Sequence, residues 1–382
     1  MSEAPRDTQT PPPDSRSWLE RRVNLTEIAS FLTVFGLLPA ELDTRKPLRE
    51  ALGEALSQPM AYYERWPRFL GLLAFVLFLL LGVTGILLAF YYQPTADAAY
   101  PSVVAIARDV NFGSLVHQVH AWASALFLLI LAFRVVRFFF TGLYGRGREI
   151  IWMVGVLAFV VATFTDLTGR LLPWDARGYC TTIRAREVID ALPLVGPIVA
   201  FLVGGKGLDS LTLTRFYVLH IGGFPFVLLL LFYLHFASLR RVGVPIPAKA
   251  AARPKMGRAL RIAGIDMILL VLLMMGVLLT FAIVWPIPFD VQADPFATPP
   301  NAHAPWYLLA PHAVLESFPG LLPRVLRGLF LDGLLAGLLF LPFLDRSPGT
   351  GTRNRAFFVG GLIALVVWVL LTWQGWFLEV SR

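Results

Sequence analysis

Residues 213–238 read LTRFYVLHIGGFPFVLLLLFYLHFAS, an apolar run that contains one arginine and two histidines. An α-helix rises about 1.5 Å per residue, so a run of this length crosses the roughly 30 Å of hydrocarbon in a bilayer. An ionisable side chain inside such a helix is costly without a partner and is a candidate site residue by default. The stretch therefore predicts a membrane-spanning helix that carries His220 and His235 at a buried site.

Six more apolar runs have similar length. They lie near residues 69–92, 115–139, 150–170, 263–285, 324–344 and 356–377. The composition agrees, since 57% of the residues are hydrophobic and only 15% are charged, unlike a typical soluble domain. We predict an all-α integral membrane protein with about seven transmembrane helices.

The net charge of +8 would suggest a nucleic-acid partner in a soluble protein. Here the basic residues cluster in the loops after the second, fourth and sixth runs, as Arg148, Arg258 and Arg355 illustrate. Short basic loops stay on the cytoplasmic side of a membrane. We therefore expect contact with lipid, no nucleic-acid partner, a cytoplasmic N-terminus and an inner, energy-transducing membrane as the location.

Cys180 is the only cysteine, which excludes an intramolecular disulfide, a four-cysteine iron–sulfur cluster and a covalent C-x-x-C-H heme. A redox centre would have to use histidine. His120 and His220 lie at similar depths in the second and fourth runs, where two antiparallel helices can offer one imidazole each to a heme iron. His235 follows His220 by fifteen residues, about 22 Å along a helix, and addresses a second position. The alternative is that these histidines only pack or form hydrogen bonds.

Glycines repeat with nearly the same spacing in the two remaining runs. Gly71 and Gly85 are fourteen residues apart in the first run, as are Gly155 and Gly169 in the third. Fourteen residues are close to four helical turns, so each pair shares a face. Such glycines give a bulky planar group room near the backbone, although small residues also serve helix packing in membranes. Together with the histidines, they favour at least one bound heme b.

Several motifs resemble those of cytochrome b from the Rieske/cytochrome b quinol oxidoreductases, in the chloroplast-type form fused to its small C-terminal subunit. The motifs are FYYQPT (90–95), NFG (111–113), VHAW (119–122), LPWD (172–175), TRFYVLH (214–220), ADPFATP (293–299) and APWY (304–307). The resemblance implies a four-helix bundle for two hemes b, followed by three helices that complete a quinol pocket. It also implies quinone as substrate, Rieske-type iron–sulfur or cytochrome c partner subunits, and a dimer within a multi-subunit complex.

The same resemblance divides the chain. We expect a disordered tail (1–17), an interfacial segment (18–66), the heme-binding bundle (67–242), a basic linker (243–262) and the quinol-pocket domain (263–382). The pocket would use Pro173, Trp174, Asp175, Trp306 and Tyr307. Arg215 matches a propionate partner of the family.

The sequence departs from the family pattern at the second heme, where the partner of His235 should lie fourteen residues after His120. That position is Arg134, and a guanidinium has no lone pair for iron. The second heme is then absent, five-coordinate on His235, or ligated by another residue. Arg134 would pair with a propionate, an acidic lipid or an acidic quinone-site group, or extend to the basic surface beside Arg137.

Other departures concern the remaining cofactors. Phe69 stands where the family's covalent heme needs a cysteine, so no heme c is expected. Pro305 replaces the glutamate that takes a quinol proton, and His303 or Glu316 would be the substitute unless both are only loop residues. His117 replaces a family arginine one turn from His120, where it would bond a propionate or sit in the loop. Arg240 would bind propionates, quinone or lipid headgroups.

Two functions follow from these residues. The chain is either a working cytochrome b subunit of a quinol-linked, bc-type complex, or a degenerate relative kept as a membrane anchor or one-heme conduit in a larger redox assembly. A transporter with seven helices would fit the hydropathy but not the motifs. The number of hemes per chain separates the first two hypotheses.

Overall fold

The computed structural model describes most of the chain. The described residues are 23–33, 42–57, 65–145, 147–203, 207–242, 256–294, 296, 303–317, 322–345 and 355–380. The predictions for the tail 1–17, for residues 243–255 of the linker and for residues 297–299 of the ADPFATP motif lie outside the described residues.

Helices account for nearly all of the described secondary structure. They are α1 (Leu25–Thr33), α2 (Leu48–Ser57), α3 (Arg65–Ala89), α4 (Ala99–Asp109), α5 (Gly113–Thr141), α6 (Glu149–Leu171), α7 (Ala176–Asp190), α8 (Val195–Val203), α9 (Ser210–Val218), a π-helical turn (Leu219–Gly223), α10 (Phe224–Val242), α11 (Met256–Val284), α12 (Trp306–Glu316), α13 (Arg324–Leu339), α14 (Leu341–Leu344) and α15 (Arg355–Val380). Within the described residues, the one pairing of extended backbone is an isolated bridge between Asp175 and Gln292. The prediction of an all-α membrane protein is confirmed.

Six stretches in the described part of the chain are long and apolar enough to cross a membrane. They belong to α3, α5, α6, the continuous helix from Ser210 to Val242, α11 and α15, and each coincides with a predicted run. The remaining prediction, a span over 324–344, forms two helices instead of one. α13 has 16 residues, about 24 Å of helix, and ends at Leu339, three residues before Pro342. A seventh span therefore stays a prediction.

The bundle consists of α3, α5, α6 and the helix from Ser210 to Val242. α3 packs on α5, α5 packs on α6, and α6 packs on α10. Its centre is filled by a cluster of aromatic rings with centroids 5.4 to 6.4 Å apart, which we call the aromatic cluster: Phe75, Phe78, Phe127, Phe232 and Phe236. Offset and edge-to-face ring pairs at these separations add to the stabilisation from burial.

The π-helical turn from Leu219 to Gly223 adjusts the register of the fourth spanning helix. Pro225 has no backbone N–H, and its ring would collide with the carbonyl group four residues earlier in a regular α-helix. The N–H of Phe224 donates to the carbonyl of Leu219, five residues back, so the helix widens by one residue at His220. Fifteen residues that include such a turn rotate the chain about as far as fourteen regular residues. His235 consequently lies on the same face as His220.

One end of the bundle is closed by short helices, and we call this end the loop side. It is the end at which α3, α6 and α11 finish and to which α4, α7 and α12 connect. Side chains of α5 bind the segment after α11: the amide of Gln118 contacts both backbone groups of Ile287 at 2.7 and 2.9 Å, and Trp122 Nε1 donates to Trp285 O at 3.0 Å. These bonds attach the C-terminal half of the chain to the bundle.

α12 and α15 pack closely through a glycine. A Cβ at Gly375 would collide with the carbonyl oxygen of Leu309, which is backbone and cannot rotate away. We expect Gly375→Ala to lower the free energy of unfolding by about 1–3 kcal/mol, the usual cost of overpacking. Thermal unfolding in detergent measures this effect.

Gly360→Ala is the matched control on the same helix, because a Cβ there meets no atom within 4 Å. Equal melting temperatures for the two variants would contradict the close contact between α12 and α15.

Candidate functional site

His120 and His220 face each other across the loop-side half of the bundle. Their ring centroids are 6.1 Å apart and their planes are inclined by 67°. Two imidazoles that bind one ion from opposite sides, with metal–nitrogen bonds of about 2.0–2.1 Å, have ring centres about 6 Å apart. We call this arrangement the histidine-pair site. Its separation fits one iron held by both rings.

Hydrogen bonds on the far side of each ring fix which nitrogen is available. His220 Nδ1 lies 2.9 Å from the carbonyl oxygen of Thr165, to which it can only donate. His120 Nδ1 lies 2.8 Å from Thr84 Oγ1, whose own hydroxyl donates to the Leu80 carbonyl at 2.7 Å. Both Nδ1 atoms therefore carry hydrogen, as we infer from these partners. Both Nε2 atoms then keep the lone pair that a metal requires.

Two predicted glycines line this site. A Cβ at Gly85 would lie 3.3 Å from Cε1 of His120, and a Cβ at Gly169 would lie 2.5 Å from Cε1 of His220. The glycines thus give room to the imidazoles themselves. The residues of the histidine-pair site therefore fit heme b. Their hydrogen bonds orient the two imidazoles, the ring separation suits one iron, and the two glycines leave room for the rings.

The second predicted position has the same construction with one change, and we call it the arginine site. Arg134 lies against Gly71 as His120 lies against Gly85, and a Cβ at Gly155 would be 4.0 Å from His235. The guanidinium Nη2 donates to His235 Nε2 at 2.8 Å. That nitrogen is the atom that would bind iron, and its lone pair is taken. The arginine site does not fit a heme, and Arg134 does not extend to the surface.

A small cavity of about 30 Å³ lies beside this arginine–histidine pair. Small residues and large apolar side chains form the rest of its wall: Gly71, Leu131, Val135, Phe138, Ile151, Trp152, Gly155, Ala158, Leu231, Phe232 and Phe236. A cavity of this size has room for one or two water molecules.

Asp166 forms a third cluster, which the sequence reasoning missed. Its carboxylate is 7% exposed and accepts from Arg170 Nε at 2.6 Å, from Tyr307 Oη at 3.0 Å and from Ser124 Oγ at 3.0 Å. Burial and the nearby Asp166 carboxylate raise the pKa of Tyr307, so its phenol stays protonated and donates. An aspartate inside a predicted span, with an arginine four residues later, was the signal that identifies such a cluster.

The LPWD motif connects the two halves of the chain. Trp174 is buried and has φ of 51°, and its carbonyl accepts from the N–H of Ala293 at 3.0 Å. Asp175 caps α7 by accepting from the Gly178 N–H at 2.8 Å, and its other oxygen accepts from the Asp290 N–H at 3.1 Å. Burial raises the pKa of the Asp175 carboxyl. Pro173, which precedes this turn, is half-buried.

The other predicted residues lie apart from one another. The His117 ring lies against Phe289 with centroids 4.7 Å apart and planes inclined by 50°, and His303 stacks on Trp376 at 4.0 Å. Arg240 donates to the Ser30 carbonyl at 3.1 Å and so holds α1 against α10. Arg215 is exposed in α9. Trp306 is 40% exposed beside the buried Tyr307, with ring centroids 5.6 Å apart.

Residues 56–243 match a family described as cytochrome b/b6/petB, and residues 292–379 match one described as cytochrome b(C-terminal)/b6/petD. Cytochrome b6 of Tupiella akineta is 40% identical over 179 residues, which cover 47% of this chain and 83% of that protein. Cytochrome b6 of Chlamydomonas reinhardtii is 38% identical over the same shares. A solved chain titled "Hyperthermophilic respiratory Complex III" superposes with a TM-score of 0.74 and 27% identity, covering 86% of this chain and 88% of that one.

The Asp166 cluster yields a stability prediction. Asp166→Asn removes the charge that compensates Arg170, whose side chain is 38% exposed. We expect a loss of about 1–3 kcal/mol in the free energy of unfolding, less than for a fully buried pair because water reaches the arginine. Thermal unfolding in detergent measures it.

Asp109→Asn is the control, since Asp109 pairs with Arg108 on the surface, with side chains 56% and 75% exposed. It should leave the melting temperature unchanged. A melting temperature of Asp166→Asn equal to that of this control would show that the buried cluster is not stabilising.

Proposed function

We propose, from the premise that the chain belongs to the cytochrome b family and is a subunit of a membrane quinol-linked electron-transfer complex, that it holds a single heme b. The heme would lie at the histidine-pair site. The observation that carries the proposal is the contrast between two equivalent positions. The His120 and His220 rings stand 6.1 Å apart with free Nε2 atoms, whereas His235 Nε2 is bonded to Arg134 at 2.8 Å.

The residues of the histidine-pair site have separable tasks. His120 and His220 would supply the axial nitrogens, and the Thr84 hydroxyl and Thr165 carbonyl keep both rings in the required tautomer and orientation. Gly85 and Gly169 leave room for the rings. Heme b bound there would exchange single electrons with its neighbours in the complex.

Quinol would be oxidised at the loop side, where Trp306 and Tyr307 meet the end of α6. Tyr307 and Arg170 converge on Asp166 there, and the LPWD turn anchors the following loop, so Pro173, Trp174 and Asp175 position the wall of this pocket. Pro305 cannot accept a proton. His303, which is half-buried beside Trp376, remains a candidate for that task.

The rest of the assembly follows from the same premise. An electron acceptor of the iron–sulfur or cytochrome c type would dock on the loop side, and the complex would be a dimer in an inner membrane with the N-terminus of this chain in the cytoplasm. The exposed apolar faces of α11 and α15 would meet lipid or other subunits. Because Arg134 occupies the arginine site, this chain would carry electrons through one heme. Of the two functions that its residues suggest, this is the one-heme conduit in a larger redox assembly.

Heme stoichiometry tests the proposal. A pyridine-hemochrome assay of the purified complex, normalised to the amount of this chain, should give one heme b per chain. His220→Ala should remove that heme, because an iron at this site needs both rings.

His235→Ala is the matched control on the same helix and should leave heme content and absorbance unchanged. Two hemes per wild-type chain, or loss of heme in His235→Ala, would refute the single-heme assignment.

A further inference from the structure

Arg134 keeps a full positive charge inside the bundle. Its guanidinium is charged at any ordinary pH. Among the residues that the structure describes, it donates to His235 Nε2 at 2.8 Å and lies 5.6 Å from the centre of the Phe138 ring, and no carboxylate is paired with it. Asp166 differs, because Arg170 Nε lies 2.6 Å from its carboxylate. At a distance the Asp166–Arg170 pair has little net charge, whereas Arg134 acts as a single cation.

The aromatic cluster lies between Arg134 and the histidine-pair site. Phe127 is seven residues from both His120 and Arg134 along α5. Its ring centroid is 6.4 Å from that of Phe78 and 6.2 Å from that of Phe232, so the rings pack midway between the two sites. Packed rings screen a charge far less than water with its dissolved ions does. The field of Arg134 therefore extends to the histidine-pair site.

The separation of the two sites sets the size of the effect. Arg134 follows His120 by fourteen residues of one helix, which corresponds to about 21 Å. At an effective dielectric constant of about 20, a unit charge at that separation changes the equilibrium constant for adding one electron about fourfold. A tenfold change in a one-electron equilibrium corresponds to about 59 mV, so a fourfold change corresponds to about 35 mV. The shift is upward, because a cation favours the state with the additional electron.

We propose that Arg134 raises the reduction potential of heme b at the histidine-pair site through its charge, without contacting the heme. The proposal rests on the proposed function, because it requires one heme at that site and a guanidinium at the arginine site. The bond to His235 Nε2 and the contact with Gly71 hold the charge at a fixed distance from the His120 and His220 rings. Arg134 would thereby make the histidine-pair site a better one-electron acceptor.

Redox potentiometry of the purified complex tests the proposal, with the absorbance of the heme as the signal. Arg134→Gln removes the charge and keeps an N–H group that can donate to His235. Its midpoint potential should be about 35 mV lower than that of the wild type. Arg134→Leu should give a shift of the same size, so the test does not depend on a single variant. The heme content should stay at one per chain in both variants.

Two further measurements separate the charge of Arg134 from its packing. Arg134→Lys is the matched control, because it keeps a unit charge at the same position of α5, and its midpoint potential should equal that of the wild type. The difference between Arg134→Gln and the wild type should persist at an ionic strength of about 1 M, where salt screens charges in water beyond about 3 Å. Dissolved ions do not enter the packed interior of the bundle.

The outcomes separate this proposal from the single-heme assignment. One heme per wild-type chain, with equal midpoint potentials in the wild type and Arg134→Gln, overturns the role of Arg134 and leaves the assignment intact. An equal downward shift in Arg134→Lys overturns it as well, because packing would then be the cause. A shift that disappears at high salt also overturns it, because the charge would then lie in water. Two hemes per wild-type chain overturn both the proposal and the assignment.

Discussion

The contact of one side chain with a glycine on the neighbouring helix, repeated after about four turns, is the constraint on which the bundle depends. Gly85 and Gly71 lie on α3 against His120 and Arg134 of α5, and Gly169 and Gly155 lie on α6 against His220 and His235. Each contact requires that two helices keep the same rotation over fourteen residues. On the fourth helix the interval is fifteen, and the π-helical turn at Leu219–Gly223 removes the mismatch. A local backbone irregularity therefore serves a register that extends through the whole bundle.

The periodicity of apolar residues and histidines was sufficient to predict the spanning helices and the pairing of His120 with His220. These features repeat over many residues, so single exceptions do not obscure them. The π-helical turn was not predicted, although Pro225 was visible, because the consequence of a proline depends on whether the helix ends or widens there. The break of the segment 324–344 at Phe340 was also missed. Hydropathy gives the length of an apolar run, but it does not show where a helix ends near Pro342.

The polar network around Asp166 illustrates a different limit. Its members come from α5, α6 and α12, and Tyr307 is 141 residues away from Asp166 along the chain. Hydrogen bonds between such distant residues leave no periodic signal. The directions of single side chains are equally hard to derive. Arg134 had a surface alternative beside Arg137, and His117 and Arg240 had heme alternatives, yet packing directs them to His235, Phe289 and Ser30.

Two charged side chains inside this bundle have different kinds of partner. Asp166 is compensated within the chain by one cation and two hydroxyl donors, so its carboxylate needs no ligand and ties α12 to the bundle. Arg134 has an imidazole and an aromatic ring but no acid among the described residues, and it faces a cavity rather than a packed interface. Arg134 therefore has only an imidazole acceptor and an aromatic face beside it among the described residues, whereas the charge of Asp166 is neutralised within the chain. The aromatic cluster fills the bundle between the histidine-pair site and the arginine site, so a group bound at the histidine-pair site would meet a low-dielectric surrounding in which a single oriented donor has a large effect.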